Sequence, residues 1–118
     1  MTRSARTVFL GSGEFGVPVM AALVEHPLAD VRAVITARAR PVGRRQVLTP
    51  TPVGRWASDH GLEVQTPARL RSPDALAQVR ALDPELIVLA DYGQIVPAEL
   101  LALPAHGALN LHPSLLPR

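Results

Sequence analysis

The feature that most constrains this chain is a regular alternation. Apolar runs of strand length are separated by segments carrying helix signals, almost from end to end. Residues 7–10 form a buried-strand run that stops at Gly11. Residues 17–25 then read as a helix with Pro18 in its first turn, where proline's missing N–H costs no bond. Residues 31–36 make a second strand. A loop over 37–48 follows, with Pro41 and Gly43 opposing regular structure. Thr51 is placed to cap a helix over 52–60 that Gly61 closes. Residues 62–65 make a short third strand, and Ser72 caps a helix over 73–82. The run 85–90 is the most apolar of all and predicts an interior strand buried on both faces. A short helix over 97–103 precedes a last strand over 105–111. Five strand-like runs thus alternate with four helical ones. That is the pattern of βαβ crossovers, and it predicts an α/β fold: a doubly wound, Rossmann-like parallel sheet with helices on both faces, truncated after the fifth strand.

The end of that last strand carries the residues best suited to chemistry. Side chains alternate along a strand, so Asn110 and His112 are expected on the same side. An amide donor beside an imidazole, at the C-terminal edge where open α/β sheets bind ligands, suits a reaction that develops an oxyanion at a carbonyl. Taken alone, the pair also reads as a strand-end histidine in a polar network with an asparagine serving a turn.

Composition limits the rest. With 118 residues the chain is at most one domain, and 47% hydrophobic with 19% charged residues describes a globular protein, not a disordered one. There is no cysteine, hence no disulfide framework and no thiolate chemistry. The apolar run after the basic N-terminus is too short for a signal peptide or a membrane span, so a cytoplasmic location is expected. The net charge is only +2, but it is unevenly placed: between Asp30 and Asp59 there is no acid, while Arg32, Arg38, Arg40, Arg44, Arg45 and Arg55 fall there. Arginine suits bidentate phosphate contacts, although a charge run is more often a solvated face.

Gly11-Ser12-Gly13-Glu14-Phe15-Gly16 is a literal G-x-G-x-x-G between a strand and a helix. The supporting acid at the end of the second strand is missing, for Thr36-Ala37-Arg38 stand there and Asp30 lies at the strand's beginning. Arg38 and Arg40 could serve a 2′-phosphate, which keeps an NADP-binding module open as a reading from a different class. Glu14 inside the loop would repel a pyrophosphate, and a tight strand-to-helix turn explains the glycines as well.

Four segments then occur in order: residues 11–18 (Gly-Ser-Gly-Glu-Phe-Gly-Val-Pro); Arg40-Pro41-Val42-Gly43-Arg44 with Leu48-Thr49-Pro50-Thr51-Pro52-Val53; Tyr92-Gly93-Gln94-Ile95-Val96-Pro97; and Asn110-Leu111-His112-Pro113-Ser114-Leu115-Leu116-Pro117. On these segments the chain, from Thr7 onward, resembles the amino-terminal part of the methionyl-tRNA formyltransferases, a branch of the folate-dependent formyltransferases. The Asn-x-His and Ser-Leu-Leu-Pro segment is shared with the enzymes acting on glycinamide ribonucleotide and nucleotide sugars. The arginine loop and its exit are more specific to the tRNA enzymes. Two departures stand out: Ser12-Gly13-Glu14, where those enzymes usually carry Thr-Pro-Asp, and Arg45-Gln46-Val47, where they usually have a glycine and two lysines.

The resemblance implies transfer of a formyl group from 10-formyltetrahydrofolate to the α-amino group of initiator methionyl-tRNA, without a metal. Asn110 and His112 would hold the oxyanion. The family's catalytic aspartate would lie beyond Arg118, and Asp91 does not match its position. Tyr92, Gly93, Gln94, Ile95, Val96 and Pro97, with Ser114, Leu115, Leu116 and Pro117, would form part of the folate pocket. For Tyr92 and Ile95, plain capping of the sheet edge is the competing explanation. Gly11, Ser12 and Gly13 would face the acceptor substrate, and Arg40, Arg44 and Arg45 its phosphates. The same resemblance implies that residues 1–118 are the amino-terminal portion of a catalytic domain. The remainder and a carboxy-terminal tRNA-binding domain would follow, giving a monomer when complete and no formylation by these residues alone. A small amine or nucleotide sugar as acceptor is the alternative within the family.

Overall fold

The computed structural model describes residues 4–111. Among the described residues, seven strands and four helices follow one another as β1 (Ala5–Gly11), α1 (Gly16–Glu25), β2 (Ala29–Ile35), β3 (Arg40–Val42), β4 (Val47–Thr49), α2 (Pro52–Asp59), β5 (Val64–Gln65), α3 (Pro73–Ala81), β6 (Leu86–Ala90), α4 (Ala98–Leu101) and β7 (Ala108–Leu111). Five strands form one parallel sheet in the order β5-β2-β1-β6-β7. The chain therefore builds outward from β1 on one side through β2 and β5. It then returns to the other side of β1 to lay down β6 and β7. Between β1 and β6 the direction of winding reverses, which in this architecture opens a crevice outside the C-terminal strand ends.

Strand alternation sorts the core into two layers. On one face Phe9, Val34, Val88 and Ala90 pack with Met20 of α1 and with Val53 and Ala57 of α2. On the other, Val8, Leu10, Ile35, Ile87 and Leu89 pack with Val79 of α3 and Leu100 of α4. Two helices thus cover each face, and β6 is buried from Ile87 to Ala90, as its unbroken apolar run predicts. Both proline-led helices start as expected: Thr51 accepts from the Gly54 N–H at 2.9 Å and Ser72 from the Ala75 N–H at 3.1 Å. At the opposite sheet edge, Arg6 donates to the Asp83 carbonyl at 2.7 Å and its backbone N–H to the buried Glu85 carboxylate at 2.9 Å. Arg6 also pairs with the Asp83 carboxylate at 3.1 Å, so charge pairing ties β1 to the turn before β6 at that end.

Three expectations change. The arginine stretch is not a plain loop: β3 and β4 pair antiparallel, with Arg40 opposite Thr49 and Val42 opposite Val47. Pro41 and Gly43 do not oppose this. In an isolated two-stranded hairpin a missing N–H can face solvent, and Gly43, at φ +78°, sits in the turn with Gln46 at +52°. The last strand starts at Ala108 instead of 105, because Gly107 at φ +86° bends the chain just before it. The helix before it shortens to Ala98–Leu101. No helix among the described residues is long and apolar enough to cross a membrane.

Candidate functional site

The crevice between β1 and β6 opens where Gly11 pairs with Ala90. Each glycine of the G-x-G-x-x-G run is explained by something pressed against it. A Cβ on Gly11 would stand 2.5 Å from the Ala90 carbonyl oxygen and 2.7 Å from the Phe9 ring. One on Gly16 would meet Val53 at 2.9 Å and the same carbonyl at 3.0 Å. On Gly13 it would overlap the Asp91 carboxylate. Asp91 itself is held at φ +62°, a left-handed backbone that aspartate tolerates better than most residues.

This geometry weighs against a dinucleotide site. The Gly16 and Val17 N–H groups, which would cradle a pyrophosphate, donate to the Gly13 and Glu14 carbonyls at 3.0 and 3.2 Å. The Ser12 N–H donates to the Asp91 carbonyl at 2.9 Å. A carboxylate over Gly13 and another at Glu14 would repel the anion. The run is a close-packing turn, and Gly11 is buried within it.

Beside the turn lies a cavity of about 500 Å³, lined by Leu89, Asp91, Tyr92, Gln94, Val96, Leu101, Ala108 and Asn110. Asn110 reaches it by register: it pairs with Leu89 across the β6–β7 ladder, and paired residues of parallel strands share a face. Gln94 braces the wall, its Oε1 accepting from the Leu70 N–H at 2.9 Å and its Nε2 donating to the Pro67 carbonyl at 3.4 Å. The Tyr92 hydroxyl is buried with no hydrogen-bond partner among the described residues. Burial also raises its pKa above the usual 10.0, so it stays a neutral donor. A buried hydroxyl without a protein partner beside a cavity is open to a bond with what fills that cavity, a water or a ligand.

The Tyr92→Phe variant gives that statement a test. Folding stability should be unchanged or slightly higher, because the variant removes a polar group that lacks a partner. The KM of whatever occupies the cavity should rise about fivefold, one ordinary hydrogen bond's worth. A clear loss of stability with unchanged KM would make the hydroxyl structural.

The other expected residues fall into groups. Gly93, Gly13, Ser12 and Arg40 line a second recess of about 250 Å³ with Ala37, Thr51 and Pro52. Ile95 is 90% exposed, and Pro97 precedes α4 as its N-cap. Arg44 and Arg45 lie in the exposed β3–β4 turn, away from the Asn110 cavity lining. His112, Ser114, Leu115, Leu116 and Pro117 lie outside the described residues. Sequence reasoning missed Asp91 as a cavity residue and the bond between Thr36 and Thr51. Asp91 had one local signal, its place directly after a buried strand.

Comparison with known proteins completes the description. A family profile described as "Formyl transferase" matches residues 5–118. Methionyl-tRNA formyltransferases of Bacillus thuringiensis (strain Al Hakam) and Bacillus anthracis (strain A0248) are 50% identical over 112 residues, which is 95% of this chain and 35% of theirs. The chain therefore spans about a third of the length of those relatives. Among solved structures, phosphoribosylglycinamide formyltransferase from Anaplasma phagocytophilum superposes with a TM-score of 0.66 at 22% identity, over 98% of this chain and 52% of that one. Glycinamide ribonucleotide transformylase 1 from Symbiobacterium toebii gives 0.64 at 25% identity, over 97% and 54%. The chain thus shares its overall fold with these solved formyltransferases.

Proposed function

The chain belongs to the formyl transferase family, and from that premise we propose that it serves transfer of a formyl group from 10-formyltetrahydrofolate to the amino group of initiator methionyl-tRNA. The observation that carries the reading is the placement of Asn110. Its amide lines a cavity of about 500 Å³ at the C-terminal sheet edge, beside Asp91, Tyr92 and Gln94. The tRNA acceptor is favoured over a small amine by the 50% identity to relatives of that name and by the arginine hairpin.

The cavity suits a flat co-substrate. Leu89, Val96 and Leu101 supply apolar walls, and the unpartnered Tyr92 hydroxyl and the Asn110 amide supply donors. The bound folate supplies an activated formyl carbonyl. Asn110 donates its N–H to the carbonyl oxygen as that oxygen takes up negative charge, a preorganised dipole that needs no reorientation during the reaction. His112, two residues on in the sequence and outside the described residues, is proposed as the second donor through its imidazolium. Tyr92 holds the co-substrate in place without changing charge. Ser114, Leu115, Leu116 and Pro117, outside the described residues, are proposed as a further part of the folate pocket.

The hairpin does separate work. Arg40, Arg44 and Arg45 are exposed, and β3–β4 carries them on a projecting ribbon. They position the acceptor end through phosphates, with little base reading. Arg44→Ala should raise the KM for tRNA, leave the folate KM alone, and shallow the log–log salt slope of tRNA binding by about 0.7 to 0.9. An unchanged slope would return the hairpin to an ordinary solvated face.

The function itself is tested with an active polypeptide that carries this sequence. It is given 10-formyltetrahydrofolate with either charged initiator tRNA or glycinamide ribonucleotide. Formylation of the tRNA alone is expected. Preference for the small amine would transfer the chain to the other branch of the family.

A further inference from the structure

Three hydroxyls from three separate segments meet at the foot of the arginine hairpin. Thr36, 1% exposed at the end of β2, lies 2.6 Å from the hydroxyl of Thr51, the N-cap of α2. Thr36 also reaches the Ser12 hydroxyl of the glycine turn at 3.4 Å. Ser12 Oγ accepts from the Ala37 N–H at 3.1 Å, and the Ser12 carbonyl accepts from the Val53 N–H at 3.2 Å. The chain leaves the core at Thr36, runs out through β3 and β4, and re-enters at Thr51. The Thr36–Thr51 bond therefore closes the base of the whole excursion, while residues 40–48 are exposed throughout.

The bonds form a chain: Thr51 Oγ1 accepts from the Gly54 N–H at 2.9 Å and shares a hydrogen bond with Thr36 Oγ1, which either oxygen can donate, and Thr36 Oγ1 donates to Ser12 Oγ. Each hydroxyl has a defined partner, which makes the junction stiffer than packing alone would. It also joins the hairpin to the turn against which Asp91 rests, and Arg40, the first hairpin residue, lines the recess that Ser12 and Thr51 share.

We propose that Ser12, Thr36 and Thr51 form a clasp that fixes the arginine hairpin's orientation toward the crevice, making them positioning residues for the phosphate-bearing acceptor. The functional half of this rests on the hairpin reading above; the mechanical half does not. A hairpin free to swing spends only part of its time in the binding-competent pose, so its apparent affinity falls by that fraction. Chemistry at Asn110 is untouched, because the clasp residues do not line its cavity.

The test uses Thr36→Val, which keeps shape and loses the hydroxyl, and Thr36→Ser, which keeps the hydroxyl. An active polypeptide carrying each is compared with the parent. Thr36→Val should raise the rate of tryptic cleavage after Arg44 and Arg45 about fivefold to tenfold and raise the tRNA KM about fivefold. Both its kcat and its folate KM should stay within twofold. Thr36→Ser should restore the parent values. Should Thr36→Val fold poorly, Ser12→Ala, at a half-buried position, provides the cleavage measurement instead. Unchanged cleavage in a folded hydroxyl-less variant overturns the clasp. Faster cleavage with an unchanged tRNA KM overturns its functional role, provided Arg44→Ala does raise that KM. If Arg44→Ala leaves it unchanged as well, the hairpin reading has failed, and the cleavage rates alone judge the clasp.

Discussion

Asn110→Ala and His112→Ala are each expected to lower kcat by roughly 10² to 10³ in an active polypeptide, with much smaller changes in KM. The size follows from where the charge develops. A donor that meets only the growing oxyanion contributes to the transition state and little to ground-state binding, so its loss appears in kcat. Asn110 is well placed for this, since its strand partner Leu89 is buried at 7% exposure and anchors that face of the ladder. Asn110→Asp sharpens the test, because it keeps the size but sets a carboxylate where an anion forms; it should be at least as damaging as alanine. The kinetics are read with both substrates saturating, so that weakened binding is not mistaken for slowed chemistry. A near-normal kcat in either alanine variant would remove that residue from the transition state.

Phe9→Ala should be the most damaging single substitution for folding, costing about 3–5 kcal/mol. Phe9 is fully buried in β1, the middle strand of the sheet, and packs in the layer formed with Met20, Val34, Val53, Ala57, Val88 and Ala90. Its ring also lies in the space that a side chain on Gly11 would need. Truncation therefore leaves a cavity directly beneath the glycine turn. With typical domain stabilities of about 5–15 kcal/mol, that is about a fifth or more of the total. Urea unfolding measures it: the midpoint should fall sharply with little change in slope. A loss under about 1 kcal/mol would mean that the layer repacks around the missing ring.

The two predictions draw on different kinds of information. Phe9 is legible from sequence, because a four-residue apolar run stopped by glycine has little choice but burial. The caps at Thr51 and Ser72 were legible for the same local reason: each supplies an oxygen to an N–H three residues on. The face taken by Asn110 is set by its register with Leu89, since paired residues of parallel strands share a face. The hairpin is not legible because proline and glycine break a strand only where its N–H groups must pair. In a two-stranded ribbon with free outer edges, Pro41 forfeits nothing essential.

By itself, then, the amino-acid order determined the class of fold and the positions of most elements, including the strand on which Asn110 stands. Each of these is written in short-range periodicity, caps and turn residues. The tertiary structure alone decided the strand order β5-β2-β1-β6-β7, and with it the place where the winding reverses. It also decided that Gly13 makes room for Asp91, and that Ser12, Thr36 and Thr51 meet. Those contacts join residues far apart in the chain, and no period or local propensity encodes them. They exist because packing both faces of one sheet brings the ends of β1, β2 and β6 and the start of α2 to the same edge.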